Sequence, residues 1–210
     1  MKKKFFFYAL AAVALVAGLA SCKGTNTNNG SAPVNDGSLT INAPVTVEAE
    51  FAQDAALIRS VKACVYHEGN EVPIATGSYS NGKLSITLPA TLSEEYLRTI
   101  DDLVPASVIF SDHGVKQSPY AYIYAFDADG QKIGEFYLDG WDLTCTVYGQ
   151  YNYFDRDCTI NGTDDDENYD LSLKKGWNLA YAVYMESSSL LTTTKPSDIT
   201  MQWSYYPSFY

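Results

Sequence analysis

Apolar and polar side chains alternate through much of the chain from residue 39 onward, and this pattern restricts the fold more than any other feature. Between residues 45 and 51, Val45, Val47 and Phe51 fall on one phase, whereas threonine and glutamate occupy the other. A period of two is typical of a half-buried strand, since a helix repeats about every 3.6 residues. The 17 tyrosines of the chain also favour strands. We therefore predict an all-β, antiparallel fold.

Aromatic side chains occupy one phase of the segment 120–126. Tyr120, Tyr122, Tyr124 and Phe126 alternate there with alanine and isoleucine, so both phases are apolar. Strands with two apolar faces are usually enclosed by other elements. The segment is therefore predicted to be a strand that is buried or covered on both sides.

Two short motifs predict tight turns between strands. Asn81-Gly82 suits a two-residue hairpin, because both central positions of a type I′ turn have positive φ. The stretch 127–130, Asp-Ala-Asp-Gly, resembles the start of a calcium loop. An EF-hand loop, however, has glycine at its sixth position and glutamate at its twelfth, and this stretch has neither. We predict a hairpin turn at both places.

One segment favours a helix. Thr91-Leu92-Ser93-Glu94 forms a capping box, and apolar residues then recur at helical spacing as far as Leu103. Pro105 would end the helix, which is predicted to span Thr91–Leu103.

The segment 39–210 contains about 170 residues, enough for one sizeable β domain. We predict a single antiparallel β-sandwich of about nine to twelve strands in two packed sheets, with one short helix. A split near residues 105–118 into two smaller β domains is the alternative.

The first 21 residues have the order of a bacterial export signal. A basic head of three lysines precedes an apolar run from Phe5 to Leu19, which is too short and wrongly flanked for a membrane span. The run ends in Leu-Ala-Ser-Cys, which matches the bacterial lipobox. Cys22 is therefore predicted to receive a diacylglycerol and, after cleavage of residues 1–21, to become the first residue. The alternative is an ordinary signal peptide that contains a cysteine.

Residues 22–38 are rich in Gly, Asn, Thr, Ser and Pro and have almost nothing apolar to bury. Such a composition predicts a flexible tether between the lipid and the fold. The full chain has a formal charge of −11, and loss of the three lysines in residues 1–21 makes it more acidic. Nucleic acid and anionic bilayer surfaces are disfavoured as partners, because both require a basic patch.

Three cysteines besides Cys22 would lie in an oxidising compartment. If the chain turns back at about residue 151, Cys145 lies opposite Cys158, so these two are predicted to form a disulfide. Cys64 is predicted to remain a buried thiol.

A metal site finds little support in the sequence. The two histidines, His67 and His113, lack the spacing of zinc ligands. The acidic run Asp164, Asp165 and Asp166 is predicted to be a solvated loop tip, with calcium binding as the alternative. No metal is predicted, and no cofactor apart from the covalent lipid on Cys22.

Motifs with a known catalytic mechanism are few. Neither Gly-x-Ser-x-Gly nor His-Glu-x-x-His occurs. His67-Glu68 and Asp112-His113 are adjacent acid and histidine pairs, which solvated loops explain. A pair of carboxylates for glycoside hydrolysis stays open, since its spacing in three dimensions defines it. We predict that the protein is not an enzyme.

With the lipobox, the hairpin 81–89 and the turn 173–178, the chain resembles uncharacterised outer-membrane lipoproteins of Bacteroides-type Gram-negative bacteria. The hairpin, preceded by Ala75-Thr76-Gly77, also resembles the Ig-like or transthyretin-like β modules of that group. The resemblance implies a lipid-anchored protein of the outer membrane. An acidic cluster after the lipidated cysteine resembles the surface-export signal of that group, but Lys23-Gly24-Thr25-Asn26 stands here. The periplasmic face is therefore expected, with the cell surface as the alternative.

These features predict a non-catalytic envelope lipoprotein that acts as a binding or structural component. Its expected partners are the membrane, through the lipid anchor, and an envelope protein or glycan, but no nucleic acid. One alternative is glycan capture, in which Trp141, Trp177 and Trp203 would stack on sugar rings. Another is a fimbria-type subunit, in which the aromatic C-terminus would complete a neighbouring sheet.

Overall fold

A computed structural model of the protein describes residues 37–100 and 107–208. The predicted signal peptide (1–21), the lipidated Cys22 and nearly all of the tether (22–38) lie outside the described residues. The short α-helix α1 spans Ala52–Ala56, and single 3-10 turns span Ala49–Phe51 and Glu94–Tyr96. The strands are β1 (Leu39–Thr46), β2 (Ser60–His67), β3 (Asn70–Ser80), β4 (Lys83–Leu88), β5 (Arg98–Thr99), β6 (Ile109–Phe110), β7 (Lys116–Gln117), β8 (Tyr122–Phe126), β9 (Lys132–Trp141), β10 (Cys145–Phe154), β11 (Cys158–Asp164), β12 (Glu167–Leu173), β13 (Gly176–Met185), β14 (Ser189–Thr192) and β15 (Gln202–Pro207).

Seven of these strands close into a barrel. Their order is β15-β1-β4-β3-β2-β8-β9, and β9 pairs again with β15. Neighbours are antiparallel except β1 and β15, which run parallel and pair only at Val45 with Trp203 and at Thr46 with Ser204. The all-β prediction is confirmed. The sheet closes on itself, however, where two separate sheets of a sandwich were expected.

The barrel is filled by the apolar phase of its strands. Leu84, Ile86 and Leu88 of β4 point inward and are almost completely buried, as the alternating pattern predicts. Trp203 and Tyr205 of β15 enter the same core, so the last strand is tied to the first half of the chain through its side chains.

Six of the remaining strands continue the sheet beyond β9 in the order β10-β13-β14-β12-β11-β6, and we call this extension the wing; β7 pairs with β10 and with β5 beside it. The wing encloses a second apolar core, to which β10 contributes Phe154 and β13 contributes Ala180. The opposite phase of β10, with Val147 and Tyr151, belongs to the barrel core. Strand β10 therefore connects the two cores through its two faces.

Both predicted hairpin turns are confirmed. Asn81 and Gly82 have φ of 52° and 71° and join β3 to β4. The carboxylate of Asp127 accepts hydrogen bonds from the backbone N–H groups of Asp129 (3.0 Å) and Gln131 (2.8 Å) in the turn between β8 and β9. These side-chain hydrogen bonds satisfy backbone N–H groups in the turn that do not take part in strand pairing.

The predicted helix at Thr91–Leu103 is wrong for the part that the structure describes. The chain makes one 3-10 turn and then enters β5. Ser93 forms no capping hydrogen bond. Ile100 is fully buried in the second core, and its N–H donates to the carbonyl of Val115 (3.1 Å). Tertiary pairing thus outweighs the local helical pattern. Residues 101–103 lie outside the described residues.

The hairpin on which the predicted disulfide depended is also absent from the described chain. The segment 145–154 is one continuous strand, and Tyr151 pairs with Leu179 of β13 instead of forming a turn. At about 3.3 Å per residue, this strand carries the chain roughly 30 Å away from Cys145 before β11 begins. Cys145 lies opposite Met185, Cys158 lies opposite Leu173, and both are free thiols, as is the buried Cys64.

Candidate functional site

The three tryptophans do not share a surface. Trp203 is 2% exposed and stacks on Tyr151 inside the barrel, with ring centroids 6.3 Å apart. Trp177 is partly buried, and its indole N–H donates to the carbonyl of Pro89 (2.7 Å). Trp141 is 56% exposed. The structure therefore offers no platform of three indoles for sugar stacking.

The acidic run forms the turn between β11 and β12. Asp165 has a φ of 50°, and Asp164 accepts a hydrogen bond from the Ser107 hydroxyl (2.7 Å). Within residues 37–100 and 107–208, no three His, Cys, Asp or Glu side chains are grouped so that they could hold a metal ion. Calcium binding by Asp164, Asp165 and Asp166 thus gains no support from the structure.

The most unusual surface is formed by tyrosines on the outward phase of neighbouring strands. On β8, Ile123 and Ala125 fill the barrel, so the alternation places Tyr122 and Tyr124 outside. The outward phases of β2, β9, β10, β13 and β15 each add a tyrosine, and Tyr120 precedes β8. We call this surface the tyrosine face; its members are Tyr66, Tyr120, Tyr122, Tyr124, Tyr137, Tyr148, Tyr184 and Tyr206.

The rings of the tyrosine face contact one another across the strands. Tyr122 lies at the centre of one group, with ring centroids 4.0 Å from Tyr120, 5.6 Å from Tyr124 and 5.8 Å from Tyr66.

A second group is centred on Tyr137 and Tyr148, whose ring centroids are 6.2 Å apart. Tyr206 lies 5.6 Å from Tyr137, and Tyr184 lies 6.1 Å from Tyr148. Because aromatic pairs at these separations attract one another and restrict their rotamers, the face is a preorganised surface.

Two carboxylates of β9 lie among these rings. Glu135 accepts a hydrogen bond from the hydroxyl of Tyr137. Asp139, which is 3% exposed, accepts from the hydroxyls of Ser204 (2.7 Å) and Tyr206 (2.8 Å). Hydroxyl groups, not cations, thus satisfy both acids.

Two lysines lie at one end of the described face: Lys62 of β2, which pairs with Tyr124 and lies 4.2 Å from the ring centroid of Phe126, and Lys132 of β9. Lys132 contacts Glu71 at 2.8 Å and lies 4.2 Å from the ring centroid of Tyr124. Its charge is therefore already engaged by a carboxylate and by an aromatic ring.

The phenols of Tyr124, Tyr137, Tyr148 and Tyr184 stay protonated. Burial raises the pKa of Tyr124 and Tyr137 far above the usual value of 10, and the nearby Glu135 carboxylate adds to the rise. Burial likewise raises the pKa of Tyr148 and Tyr184. The hydroxyls therefore remain neutral hydrogen-bond donors over the physiological pH range.

Asp139 should make stability depend on pH. Burial raises its pKa above the ordinary 3.8, although hydrogen bonds from Ser204 and Tyr206 oppose the rise. The carboxyl group of Asp139 therefore binds a proton more tightly in the folded protein than in the unfolded chain. Its contribution to the free energy of unfolding consequently falls as the pH rises above 3.8. In urea unfolding, we expect Asp139→Asn to gain stability relative to wild type between about pH 4 and pH 7.

Asp142 provides a control of opposite sign. Hydrogen bonds from the Thr144 side chain and the backbone lower the pKa of this exposed carboxyl. Its contribution to stability is therefore present above its ordinary pKa and is lost as pH falls. The free energy of unfolding of Asp142→Asn should therefore lie below that of wild type by a nearly constant amount between about pH 4 and pH 7, and the difference should shrink as the pH falls below 3.8. Parallel pH profiles of the two variants would contradict the assignment for Asp139.

The cavities of the described chain are small or open. One of about 20 Å³ lies beside the second core, among the amides of Gln117, Gln150 and Asn152, and holds about one water molecule. A shallow depression of about 500 Å³ lies between the turn at Leu143 and the end of β13 at Tyr184. Neither encloses a small molecule in the manner of a typical cofactor site.

No family model, curated protein or solved structure matches the chain. Among the described residues, no helix has the length and apolar character needed to cross a bilayer. Any function assigned to the chain therefore rests on its own residues, of which the tyrosine face is the most distinctive group.

Proposed function

We propose that the protein is a lipid-anchored, non-catalytic binding protein of the bacterial envelope and that the tyrosine face is its binding surface. The observation that carries this proposal is the row of contacting tyrosines on the outward phase of barrel and wing strands, with hydroxyl-bonded carboxylates among them. Tyrosine suits contact surfaces, because it supplies apolar area, a hydrogen-bonding tip and few rotatable bonds.

The anchoring half of the proposal is supported by the sequence before β1. The lipobox ends at Cys22, and about sixteen polar residues separate it from Leu39, the first residue of the barrel. A flexible segment of that length spans some 20 Å, by the estimate of about 5–6 Å times the square root of its length. The barrel could therefore contact a neighbour while its anchor stays in the periplasmic leaflet of the outer membrane.

The non-catalytic half is supported by the spacing of the acids. Glu135 and Asp139 lie four residues apart on one strand, so their α-carbons are separated by roughly 13 Å. Glycosidase carboxyl groups lie about 5–9.5 Å apart. Glu135 and Asp139 are also hydrogen-bonded to the tyrosines of the face, which suits a role in holding that surface together.

The fimbria-type alternative has less support. Strand β15 pairs with β9 over six residues, and its Trp203 and Tyr205 are buried in the barrel. Donation of this strand to another subunit would expose both side chains. The relation to Ig-like or transthyretin-like sandwiches also stays a proposal, which the Asn81-Gly82 hairpin supports and the closed barrel does not.

Replacement of Cys22 by Ser should release the protein from the membrane. In cells fed a labelled fatty acid, we expect wild type to carry the label and to sediment with membranes, because acyl chains give stable anchoring. Cys22→Ser should be unlabelled, retain its signal peptide and lose the stable anchoring of the lipidated form. Cys64→Ser, which removes a cysteine of the barrel, is the control and should remain labelled. Acylation of Cys22→Ser would overturn the proposed anchor.

A further inference from the structure

We propose that the tyrosine face binds an uncharged polysaccharide, which lies across β9, β10 and β13. This inference rests on the proposed function and names its ligand class. Of the three tryptophans it retains Trp141 alone, because Trp177 is partly and Trp203 wholly buried.

The exposed rings at one end of the face form a cross-strand row. Thr146 of β10 pairs with Trp141 of β9 on one side and with Tyr184 of β13 on the other. Directly paired residues point to the same side of a sheet. Trp141 is 56% and Tyr184 37% exposed, so both present ring surface to solvent. Pyranose rings have flat apolar faces, which stack on such surfaces.

Polar groups follow next to this row. Tyr148 pairs with Asp139, so a phenol and a carboxylate stand side by side. Gln150 continues the phase of Tyr148 along β10 toward the amide-lined cavity. A carboxylate can accept about four hydrogen bonds, and an amide both donates and accepts. Glu135 therefore keeps acceptor capacity beyond the bond from Tyr137, which suits ligand hydroxyl groups.

Charge restricts the ligand further. Glu135 and Asp139 lie among the rings, whereas Lys132 is paired with Glu71. Carboxylates repel phosphates, uronates and other anions in a setting of low dielectric. An anionic ligand is therefore disfavoured, and because neutral hydroxyl groups already bond both acids, an uncharged ligand with hydroxyl groups fits the face. Since the cavities of the described chain do not enclose a small molecule, an extended chain that lies on the surface fits better than a compact one.

A proline-rich peptide is the other extended ligand that aromatic surfaces bind. Proline has no N–H to donate, whereas Glu135 accepts one hydroxyl group of the face and keeps acceptor capacity for more. A ligand with many hydroxyl groups therefore matches the face better than a peptide with few donors.

The test uses the full chain, purified from membranes in a detergent without a sugar headgroup. Its binding to soluble β-glucan, amylose, galactomannan and polygalacturonate would be measured by affinity electrophoresis and calorimetry. We expect binding to at least one of the three neutral polymers and none to the anionic polygalacturonate. Tyr184→Ala and Trp141→Ala should each weaken binding about tenfold, the equivalent of about 1.4 kcal/mol. Tyr184→Phe should lose less, because it keeps the ring.

Ile109→Ala is the matched control, because Ile109 is an exposed apolar residue of β6 at the far edge of the wing. It should bind as wild type does. Binding that survives the double variant Tyr184→Ala/Trp141→Ala would overturn the site. Binding to a polyproline peptide but to no neutral polymer would overturn the ligand class and leave the binding function intact. Cleavage of a bound polymer would instead defeat the non-catalytic proposal.

Discussion

Replacement of Trp203 by Ala should cost about 3–5 kcal/mol of folding free energy, the range typical of a large aromatic residue deleted from a core. Trp203 is 2% exposed, stacks on Tyr151 and lies where β15 meets β1. Since β1 and β15 pair at only two positions, side-chain packing must stabilise this seam of the barrel. Urea unfolding followed by circular dichroism would measure the loss.

Two variants make this prediction specific. Trp141→Ala removes the same side chain from an exposed position and should change stability by no more than about 0.5 kcal/mol. Trp203→Phe should cost less than Trp203→Ala, because it retains a ring, and no described residue accepts a hydrogen bond from the Trp203 indole N–H. Equal effects of Trp203→Ala and Trp141→Ala would show that the barrel core is not where we place it.

The local elements of the barrel could be predicted from the sequence because short-range patterns determine them. The two-residue period of a strand is enough to predict that Leu84, Ile86 and Leu88 point inward. Two adjacent residues that tolerate positive φ are enough to predict the Asn81-Gly82 turn. The closure of the barrel could not be predicted in this way. It depends on pairing between β9 and β15, which are separated by about sixty residues, and no local pattern records such a partner.

Two further errors have the same origin. The segment Thr91–Leu103 has helical spacing, yet the Ile100 N–H donates to the carbonyl of Val115, just before β7, and its side chain is buried in the second core. The predicted disulfide requires a turn at about residue 151, yet Tyr151 and Asn152 lie within a continuous strand, and the Asn152 side chain donates to the carbonyl of Ser118 (3.3 Å). In both cases a hydrogen bond to a residue farther along or back in the chain outweighs the helix or turn that the local sequence pattern favours.

The candidate site was only partly visible in the sequence. The aromatic phase Tyr120, Tyr122, Tyr124 and Phe126 was recognised, and the expectation that it is covered holds for Tyr124, which is 2% exposed. Tyr122 and Phe126 are half-buried. The tyrosines of the other strands join them only through the strand order. Trp141 and Trp203 have the same side chain, and only the register of their strands places one on the surface and the other in the core. A register shift of one residue would exchange these positions.

Replacement of Gly134 by Ala should destabilise the barrel by about 3 kcal/mol, at the upper end of the cost of overpacking. A Cβ at this position would collide with the ring of Tyr205 and lie 2.5 Å from the carbonyl oxygen of Tyr206. Tyr205 is 1% exposed, and its hydroxyl donates to the carbonyl of Ile133 (3.0 Å). Because Gly134 has no side chain, the Tyr205 ring can pack directly against the backbone of β9, and this contact holds β15 against β9.

A double-mutant cycle separates this collision from the general effect of changing a glycine. In a Tyr205→Ala background the obstructing ring is absent but the Tyr206 carbonyl oxygen remains 2.5 Å from the added Cβ, so Gly134→Ala should cost less than in wild type without becoming neutral, because contacting residues are coupled. Gly114→Ala is the matched control: its Cβ would come no closer than 3.3 Å to another atom, the Asp112 carboxylate, and its effect should stay within about 0.5 kcal/mol. An equal cost of Gly134→Ala in both backgrounds would mean that Tyr205 does not pack on Gly134. Closure of the barrel would then depend on backbone pairing between β9 and β15 alone.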